Sequence, residues 1–313
     1  MKPLRIHQRL LIFLLLVLAL TCVISPWMAL GADWFAARWP DLLPERVEFS
    51  RVFNRAFMVA GFILFIAFRR QLLSAQVKSL LLSGVRVACR NLLGGFGLAA
   101  GSVALLLALM ASSEVYTPFF RLTLSDSLSR CIGAFFTGLV VGFFEEVFFR
   151  GILFLGLREI GGSLRAYLLA NLFYSALHFV KPGDAYFLDG VAPLAGFRHL
   201  LTTFHPFLNP LPLLPGIFGL FLIGVILSYA LVKSGNLYLS IGLHAGWVFG
   251  LKTIRVFGDF NREELGWLFG STDPKIVSGL MTWLGVLLVG LVVSRLTRPG
   301  AQLSPDRPPA AAA

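Results

Sequence analysis

The sequence predicts an all-α fold, a polytopic integral membrane bundle of about eight transmembrane helices, on the basis of three observations. Of the 313 residues, 57% are hydrophobic and 14% are charged, whereas soluble domains average roughly 45–50% and 25%. The mean hydropathy is +0.80. Apolar runs recur at lengths near the roughly 20 residues that cross a bilayer. These features exclude a single soluble domain and also a disordered chain, which requires low hydrophobicity.

Eight apolar runs are the candidate spans. They are Leu10–Leu30, Val52–Phe68, Leu92–Ser112, Cys131–Leu157, Leu164–Val180, Leu214–Val232, Leu237–Leu251 and Ile276–Ser294. The first run follows a basic head, as a signal peptide would. Leu30, however, occupies a position where the cleavage site of a signal peptide needs a small residue. We therefore expect an uncleaved first span.

The basic residues give the expected orientation. The formal net charge is +11, and the basic side chains cluster at the edges of apolar runs. The connection between the second and third runs carries five of them and no acidic residue: Arg69, Arg70, Lys78, Arg86 and Arg90. The positive-inside rule then places both termini in the cytoplasm, and we expect a bacterial inner membrane. This clustering favours contact with membrane lipid over binding of nucleic acid.

Two connections and the C-terminal tail have compositions of their own. The segment Gln71–Asn91 is predicted to be either a basic helix on the inner leaflet or a solvated connector. Six prolines in Lys181–Pro215 exclude a continuous helix there. Because this segment is also too apolar for an ordinary loop, it is predicted to form a lid or a re-entrant segment. The tail at 299–313 is predicted to be disordered.

The fourth run contains three ionisable residues, Glu145, Glu146 and Arg150. A charged side chain inside a span costs about 2.5–3.5 kcal/mol on insertion scales, so these residues indicate a function. Glu146 and Arg150 are four residues apart, lie on one helix face and can pair. Glu145 is turned about 140° from Arg150, which makes it a candidate general base. The alternative is that Glu146 and Arg150 form only a buried pair that fixes the helix.

The fifth and seventh runs supply polar partners. In the fifth run, Asn171, Tyr174 and His178 fall on one polar face at helical spacing. The seventh run contains His244, with Ser240 one turn before it. Another face of the seventh run has the small-xxx-small spacing that permits close helix packing; its residues are Gly242, Gly246 and Gly250. Two histidines and two glutamates on three spans are sufficient to build a water-activating site.

Three motifs occur in order, each on its own apolar run. They are EExxxR at Glu145–Arg150, YxxxH at Tyr174–His178 and HxxxV at His244–Val248. The chain contains no HExxH, GxSxG or Walker A motif. Over roughly residues 129–251, the ordered triple resembles the CPBP family of intramembrane proteases, which includes the CAAX prenyl endopeptidases and bacteriocin-processing enzymes.

The resemblance implies a helical membrane fold with a catalytic cavity in its core and hydrolysis of peptide bonds in membrane-anchored or lipidated substrates. It implies that Glu145 and His178 activate water and that Glu146 and Arg150 organise the site. His244 would stabilise the oxyanion. A set of Glu145, His178 and His244 could hold zinc, but it would also suffice without a metal.

Three further polar residues of the fifth and seventh runs are expected to contact substrate: Asn171, Tyr174 and Ser240. The chain departs from the family pattern at Tyr174, where phenylalanine is usual, and at Val248, where asparagine or aspartate is usual.

We divide the chain into N-terminal helices with a basic interfacial linker (1–128), a catalytic core (129–255), a last helix with its preceding loop (256–298) and the tail. Two other functions stay open. One is a non-catalytic scaffold or immunity-type protein, which the absent asparagine at Val248 favours. The other is a proton-coupled transporter, because paired intramembrane carboxylates and histidines serve there too.

Overall fold

The computed structural model describes residues 6–40, 46–180, 186–190, 192–261, 265–270 and 276–297. The predicted disordered tail at 299–313 lies outside the described residues. The chain forms two compact units, one from residues 1–74 and 177–213 and the other from residues 75–176 and 214–313. The predicted catalytic core therefore contributes residues 129–176 and 214–255 to the second unit and residues 177–213 to the first.

Most of the described chain is helical. The helices are α1 (Ile6–Arg38), α2 (Phe49–Leu72), α3 (Ala75–Leu81), α4 (Val85–Ser112), α5 (Leu124–Glu146), α6 (Leu155–Leu177), α7 (Ala195–Thr202), α8 (Leu214–Ser234), α9 (Tyr238–Thr253), α10 (Gly266–Phe269) and α11 (Leu280–Leu296). A π-helix, Val147–Phe154, joins α5 to α6. Short 3₁₀ turns lie at His205–Leu208, Leu211–Leu213, Ile254–Val256 and Ile276–Ser278. Two strands, β1 (Tyr116–Pro118) and β2 (Gly258–Phe260), form an antiparallel pair.

The all-α membrane fold class is confirmed, although the spans are divided differently from the sequence prediction. Five helical stretches of the described chain are long and apolar enough to cross a membrane. One of them, Leu124–Leu177, has 54 residues and would be roughly 80 Å long if straight. It breaks at Gly162, whose φ of 79° and ψ of 173° are not helical and suit a residue without a Cβ. The break separates the predicted fourth and fifth spans.

The last two predicted spans correspond to α9 and α11. With 16 and 17 residues, these helices are shorter than the five stretches that can cross a membrane. α9 would be about 24 Å long, which is less than the hydrocarbon core of roughly 30 Å. It packs against α4, α5 and α8, and 11 of its 16 residues are buried. Because neighbouring helices surround it, α9 has little need to match the thickness of the lipid.

In the first unit, α1 packs against α2 and α7. Pro26 lies inside α1 and has no N–H to donate to the carbonyl of Cys22, four residues earlier. α7 approaches at this point, since a Cβ built on Gly196 would lie 2.1 Å from the Cys22 carbonyl oxygen. Only glycine at position 196 permits so close a contact between the two helices.

In the second unit, the predicted glycine face of α9 is the surface that contacts α4. Cβ atoms built on Gly242 and Gly246 would lie 2.2 Å from the Leu92 carbonyl oxygen and 2.4 Å from the Phe96 carbonyl oxygen. Gly250 packs in the same way against the side chain of Val103. The small-xxx-small prediction for this face is therefore confirmed, and it brings the two backbones together.

The two unusual connections are also partly described. The basic segment 71–91 is divided among the end of α2, the seven-residue α3 and the first turns of α4, so it is not a single interfacial helix. The described part of the proline-rich segment contains α7 and two 3₁₀ turns. This agrees with the prediction that repeated proline prevents a continuous helix.

Candidate active site

The contact between α5 and α9 sets the position of the candidate site. On α5, Gly138 and Gly142 face α9 at four-residue spacing. Cβ atoms built on them would lie 2.6 Å from the Ala245 carbonyl oxygen and 3.1 Å from the Ile241 carbonyl oxygen. The close backbone approach places the end of α5, which carries the two glutamates, beside His244.

Glu146 and Arg150 form the ion pair that their spacing predicts. Arg150 Nη1 donates to Glu146 Oε1 at 2.9 Å, and both side chains have no exposed surface. The pair crosses from the last residue of α5 into the π-helix. A π-helix inside a longer helix is rare and often marks a functional site.

Arg150 has further partners across the second unit. Its Nη2 donates to the carbonyl oxygen of Gly224 on α8 at 3.3 Å. Its guanidinium carbon lies 4.3 Å from the ring centre of Tyr174 on α6, a distance at which a cation and an aromatic face attract each other. Arg150 therefore ties the end of α5 to α6 and α8.

His244 lies between the two glutamates. Its Nδ1 is 2.8 Å from Glu146 Oε1, and its Nε2 is 3.8 Å from Glu145 Oε2. Because Glu146 Oε1 already accepts from the guanidinium of Arg150, this oxygen can only accept from His244 as well. The hydrogen bond therefore assigns the proton to Nδ1 of His244 and leaves Nε2 directed at Glu145.

The two glutamates differ in exposure as well as in partners. The Glu145 side chain is 30% exposed, and that of Glu146 is fully buried. The distance of 3.8 Å between Glu145 and His244 exceeds a direct hydrogen bond but suits two groups that share one water molecule. Glu145 is thus the carboxylate of the pair that solvent or a substrate can reach.

The other predicted site residues occupy different surroundings. His178 directly follows α6, belongs to the first unit and is exposed. Asn171 donates to the Tyr167 carbonyl and accepts from Ser228, and Ser240 donates to the Leu227 carbonyl. Tyr174 is buried and packs edge-on to the His244 ring.

Substrate contact by Asn171, Tyr174 and Ser240 stays a prediction. Val248, one turn after His244, is half-buried and provides no polar side chain at the place where the family pattern has one.

The described residues hold no group of three or more His, Cys, Asp or Glu side chains arranged to bind a metal ion. Near Glu145, the donor atoms on the described second unit are its carboxylate and Nε2 of His244, since Nδ1 is engaged with Glu146. Catalytic zinc uses three protein ligands. The described residues therefore do not fit zinc as they stand.

Some contributors to the site were not identified from the sequence. The Gly138/Gly142 spacing on α5 is the same small-xxx-small signal that the α9 glycines carry, so it could have been found. The contacts of Arg150 with Tyr174 and Gly224 leave no such signal, because they depend on how α6 and α8 pack.

Comparison with known proteins adds one finding. Residues 127–250 match the family described as type II CAAX prenyl endopeptidase, Rce1-like. Neither a curated protein nor a solved structure matches the chain. The matched segment contains all three motifs, and the match supports an intramembrane protease of the CAAX type in general. It confirms the resemblance that the motifs indicate: over residues 127–250, the chain is similar to the Rce1-like type II CAAX prenyl endopeptidases.

Proposed function

We propose that this protein is an intramembrane endopeptidase that hydrolyses peptide bonds of membrane-attached substrates with water activated by its own side chains. One observation carries the proposal: the His244 ring lies between Glu145 and Glu146, with one nitrogen toward each carboxylate. If Glu146 and Arg150 formed only a buried ion pair, there would be no need for a histidine between Glu146 and Glu145.

Glu145 is the proposed general base. Its side chain is partly exposed, and its buried Oε2 lies 3.8 Å from His244 Nε2, so that one water molecule beside the two atoms can contact both. In the first step, Glu145 takes a proton from water as the water oxygen bonds to the carbonyl carbon of the scissile peptide. When the carbon–nitrogen bond breaks, the same proton passes to the leaving amine. Atoms and charge balance without an additional reactant.

Glu146 and Arg150 position the site. The ion pair fixes the Glu146 carboxylate, which in turn holds the His244 ring by its Nδ1 proton. His244 could donate to the oxyanion of the tetrahedral intermediate only when Nε2 is also protonated. The Glu146 carboxylate at Nδ1 would balance that charge while Glu145 holds the proton taken from water. By family resemblance, His178 would assist Glu145 in activating the water.

We infer a mechanism that is independent of metal, because the described second unit offers two donor groups near Glu145, its carboxylate and Nε2 of His244, whereas catalytic zinc uses three protein ligands. Purified protein treated with a strong chelator should retain its cleavage activity. A chelator-sensitive activity that zinc restores would contradict this part of the proposal and would favour the set Glu145, His178 and His244 as ligands.

The substrate class follows from the setting of the site within apolar helices. Membrane-anchored or lipidated peptides reach such a site from the bilayer, and Asn171, Tyr174 and Ser240 are the proposed substrate-binding residues. From the distribution of basic residues, we propose that both termini lie in the cytoplasm; the membrane that we propose is a bacterial inner membrane. Protease accessibility of terminal tags in sealed vesicles tests that orientation.

The decisive experiment compares the termini of membrane proteins in cells that express wild type, Glu145→Gln or Glu159→Gln at equal levels. Glu159 is an exposed acid on α6 and serves as the matched control. We expect specific precursors to remain uncut only with Glu145→Gln, because the amide cannot accept the proton from water. His178→Ala should reduce cleavage of the same precursors.

The Glu145→Gln variant also separates the two alternatives, in the comparison of termini and in a flux assay. Identical terminal profiles for wild type and Glu145→Gln would overturn the protease proposal and favour a non-catalytic scaffold. A proton-coupled flux across vesicles that Glu145→Gln abolishes would favour a transporter.

A further inference from the structure

Besides His244 in the second unit, a further buried histidine with unusual surroundings lies in the first unit. His199 on α7 is 1% exposed, and neither ring nitrogen has a hydrogen-bond partner among the described residues. Three aromatic side chains surround the ring, with centroids at 5.3 Å for Phe49, 4.7 Å for Phe53 and 5.6 Å for Tyr186.

Burial of the His199 ring in this way is unfavourable unless another group forms hydrogen bonds with its nitrogens. A neutral imidazole has one N–H donor and one acceptor nitrogen, and burial of such polar atoms without hydrogen-bond partners destabilises the folded state. The aromatic rings orient the imidazole but do not replace conventional hydrogen bonds. A ligand that supplies a polar atom to this ring would recover the lost free energy.

A cavity adjoins the ring. Its volume is about 390 Å³, and its described lining residues are Tyr186, Leu188, Ala192, Pro193, Leu194, Ala195, Arg198, His199 and Thr202. Because a water molecule occupies about 30 Å³ in the liquid, the cavity can hold on the order of a dozen non-hydrogen atoms.

The lining divides by chemistry along the chain. Leu188, Pro193 and Leu194 come from the segment before α7 and are apolar. Arg198 and His199 follow on one turn of α7, so the polar groups are gathered together. Arg198 is the one cation among the described lining residues. This segment and α7 also expose large apolar side chains, including Leu194 at 62% and Leu201 at 75%, as expected for a surface that contacts lipid.

We propose that this cavity binds one amphiphile, a single aliphatic chain of about ten carbons that ends in an anionic carboxylate or phosphate group. The chain would pack against the apolar segment, and the anionic end would accept a hydrogen bond from the His199 ring and the charge of Arg198. The site is separate from Glu145 and His244 in its residues and does not depend on the protease proposal.

Native mass spectrometry of the purified full-length protein tests the proposal. The probes are decanoate and decyl phosphate, with decanol as the neutral chain of equal length. We expect one anionic probe to bind per protein, at least tenfold more tightly than decanol. The tighter of the two anionic probes identifies the head group as a free carboxylate or a phosphate.

Two variants and two controls locate the site. Arg198→Gln should weaken binding of the anionic probe about tenfold and leave binding of decanol unchanged, because only the charge is removed. His199→Phe keeps an aromatic ring but removes both nitrogens and should weaken all three probes. Arg55→Gln and His205→Phe alter exposed residues of the same unit outside the described cavity lining and should bind as wild type does.

Two results would overturn the proposal. One is equal binding of the anionic probes by wild type and Arg198→Gln. The other is stepwise addition of many probe molecules without saturation, which indicates partition into detergent. Thermal unfolding of each variant is measured in parallel. If His199→Phe does not fold, Arg198→Gln still decides the question, because residue 198 is exposed.

Discussion

His244 and His199 are both buried histidines on helices, one in each unit, and their environments are opposite. His244 has a carboxylate near each ring nitrogen, whereas His199 has aromatic faces around it and no described hydrogen-bond partner. The first ring is fixed and polarised by charges that the protein itself supplies. The second is fixed by packing, and its polar atoms are left for a ligand. Burial alone therefore does not distinguish a catalytic histidine from one in a binding site, but the identity of the neighbours does.

The largest expected effect comes from removing the charge that holds His244 in place. Arg150→Met keeps the size of the side chain but leaves Glu146 as a buried carboxylate without its cation. Breaking a buried pair in this way costs about 3–5 kcal/mol, so the free energy of unfolding should fall by that amount. Denaturant titration in detergent measures it.

Arg130→Gln is the matched control, because Arg130 is an exposed arginine on the same helix. Wild-type stability in Arg150→Met would mean that the ion pair does not organise the site.

The glycine contacts allow the two units to be disturbed separately. Gly242→Ala places a Cβ 2.2 Å from the Leu92 carbonyl oxygen, and Gly196→Ala places one 2.1 Å from the Cys22 carbonyl oxygen. Each should lower the free energy of unfolding by about 1–3 kcal/mol, since the helices must move apart. Gly242→Ala should also reduce cleavage, whereas Gly196→Ala should mainly weaken amphiphile binding.

Gly94→Ala is the control for these variants, because no atom lies within 4 Å of a Cβ built there. It should be neutral or slightly stabilising, since alanine favours a helix by up to about 1 kcal/mol over glycine. If Gly94→Ala and Gly242→Ala were equally stable, close approach of α4 and α9 would be disproved.

How much of this could be predicted from the sequence depends on whether a signal is local. Runs of apolar residues predicted the long helices, because hydropathy needs no partner helix, and five helical stretches of the described chain are long and apolar enough to cross a membrane. The Glu146–Arg150 pair was predictable for the same reason, since four residues bring two side chains together on any helix. The exact helix ends were not, because α1 continues to Arg38 beyond its apolar run.

Contacts between distant segments could not be predicted. The sequence placed His244 away from the α9 glycine face, as the structure does, but not beside Glu146. That position depends on α5 docking through Gly138 and Gly142. The pairing of β1 with β2 joins Tyr116 to Phe260 across most of the second unit. Strands of three residues carry too little alternation to be recognised.

The same substitution at the two histidines should have opposite effects on stability. His199→Phe removes two buried nitrogens that lack partners and should raise the free energy of unfolding by about 1 kcal/mol. His244→Phe removes a hydrogen bond to the Glu146 carboxylate and should lower the free energy of unfolding by about 1.5–3 kcal/mol. Unfolding of both variants under one condition tests the comparison directly, and a change of the same sign in both would contradict it.

The smallest expected effect is a pH dependence of the free energy of unfolding that comes from protonation of His199. Burial lowers the pKa of His199 from the usual 6.5, and the negative charge of Glu48 opposes part of that shift; Arg198 beside it adds a positive charge at the cavity. Because the folded state binds the proton less readily than the unfolded state, the contribution of neutral His199 to the free energy of unfolding is fully present above pH 6.5 and decreases as the pH drops below 6.5.

Melting temperatures of wild type, His199→Phe and His205→Phe from about pH 8 to about pH 5 measure this effect. Wild type and His205→Phe should lose more stability on acidification than His199→Phe does, because phenylalanine cannot take up the proton. Parallel curves for all three proteins would show that protonation of His199 is not coupled to folding, and the contrast with His244 would then rest on hydrogen bonding alone.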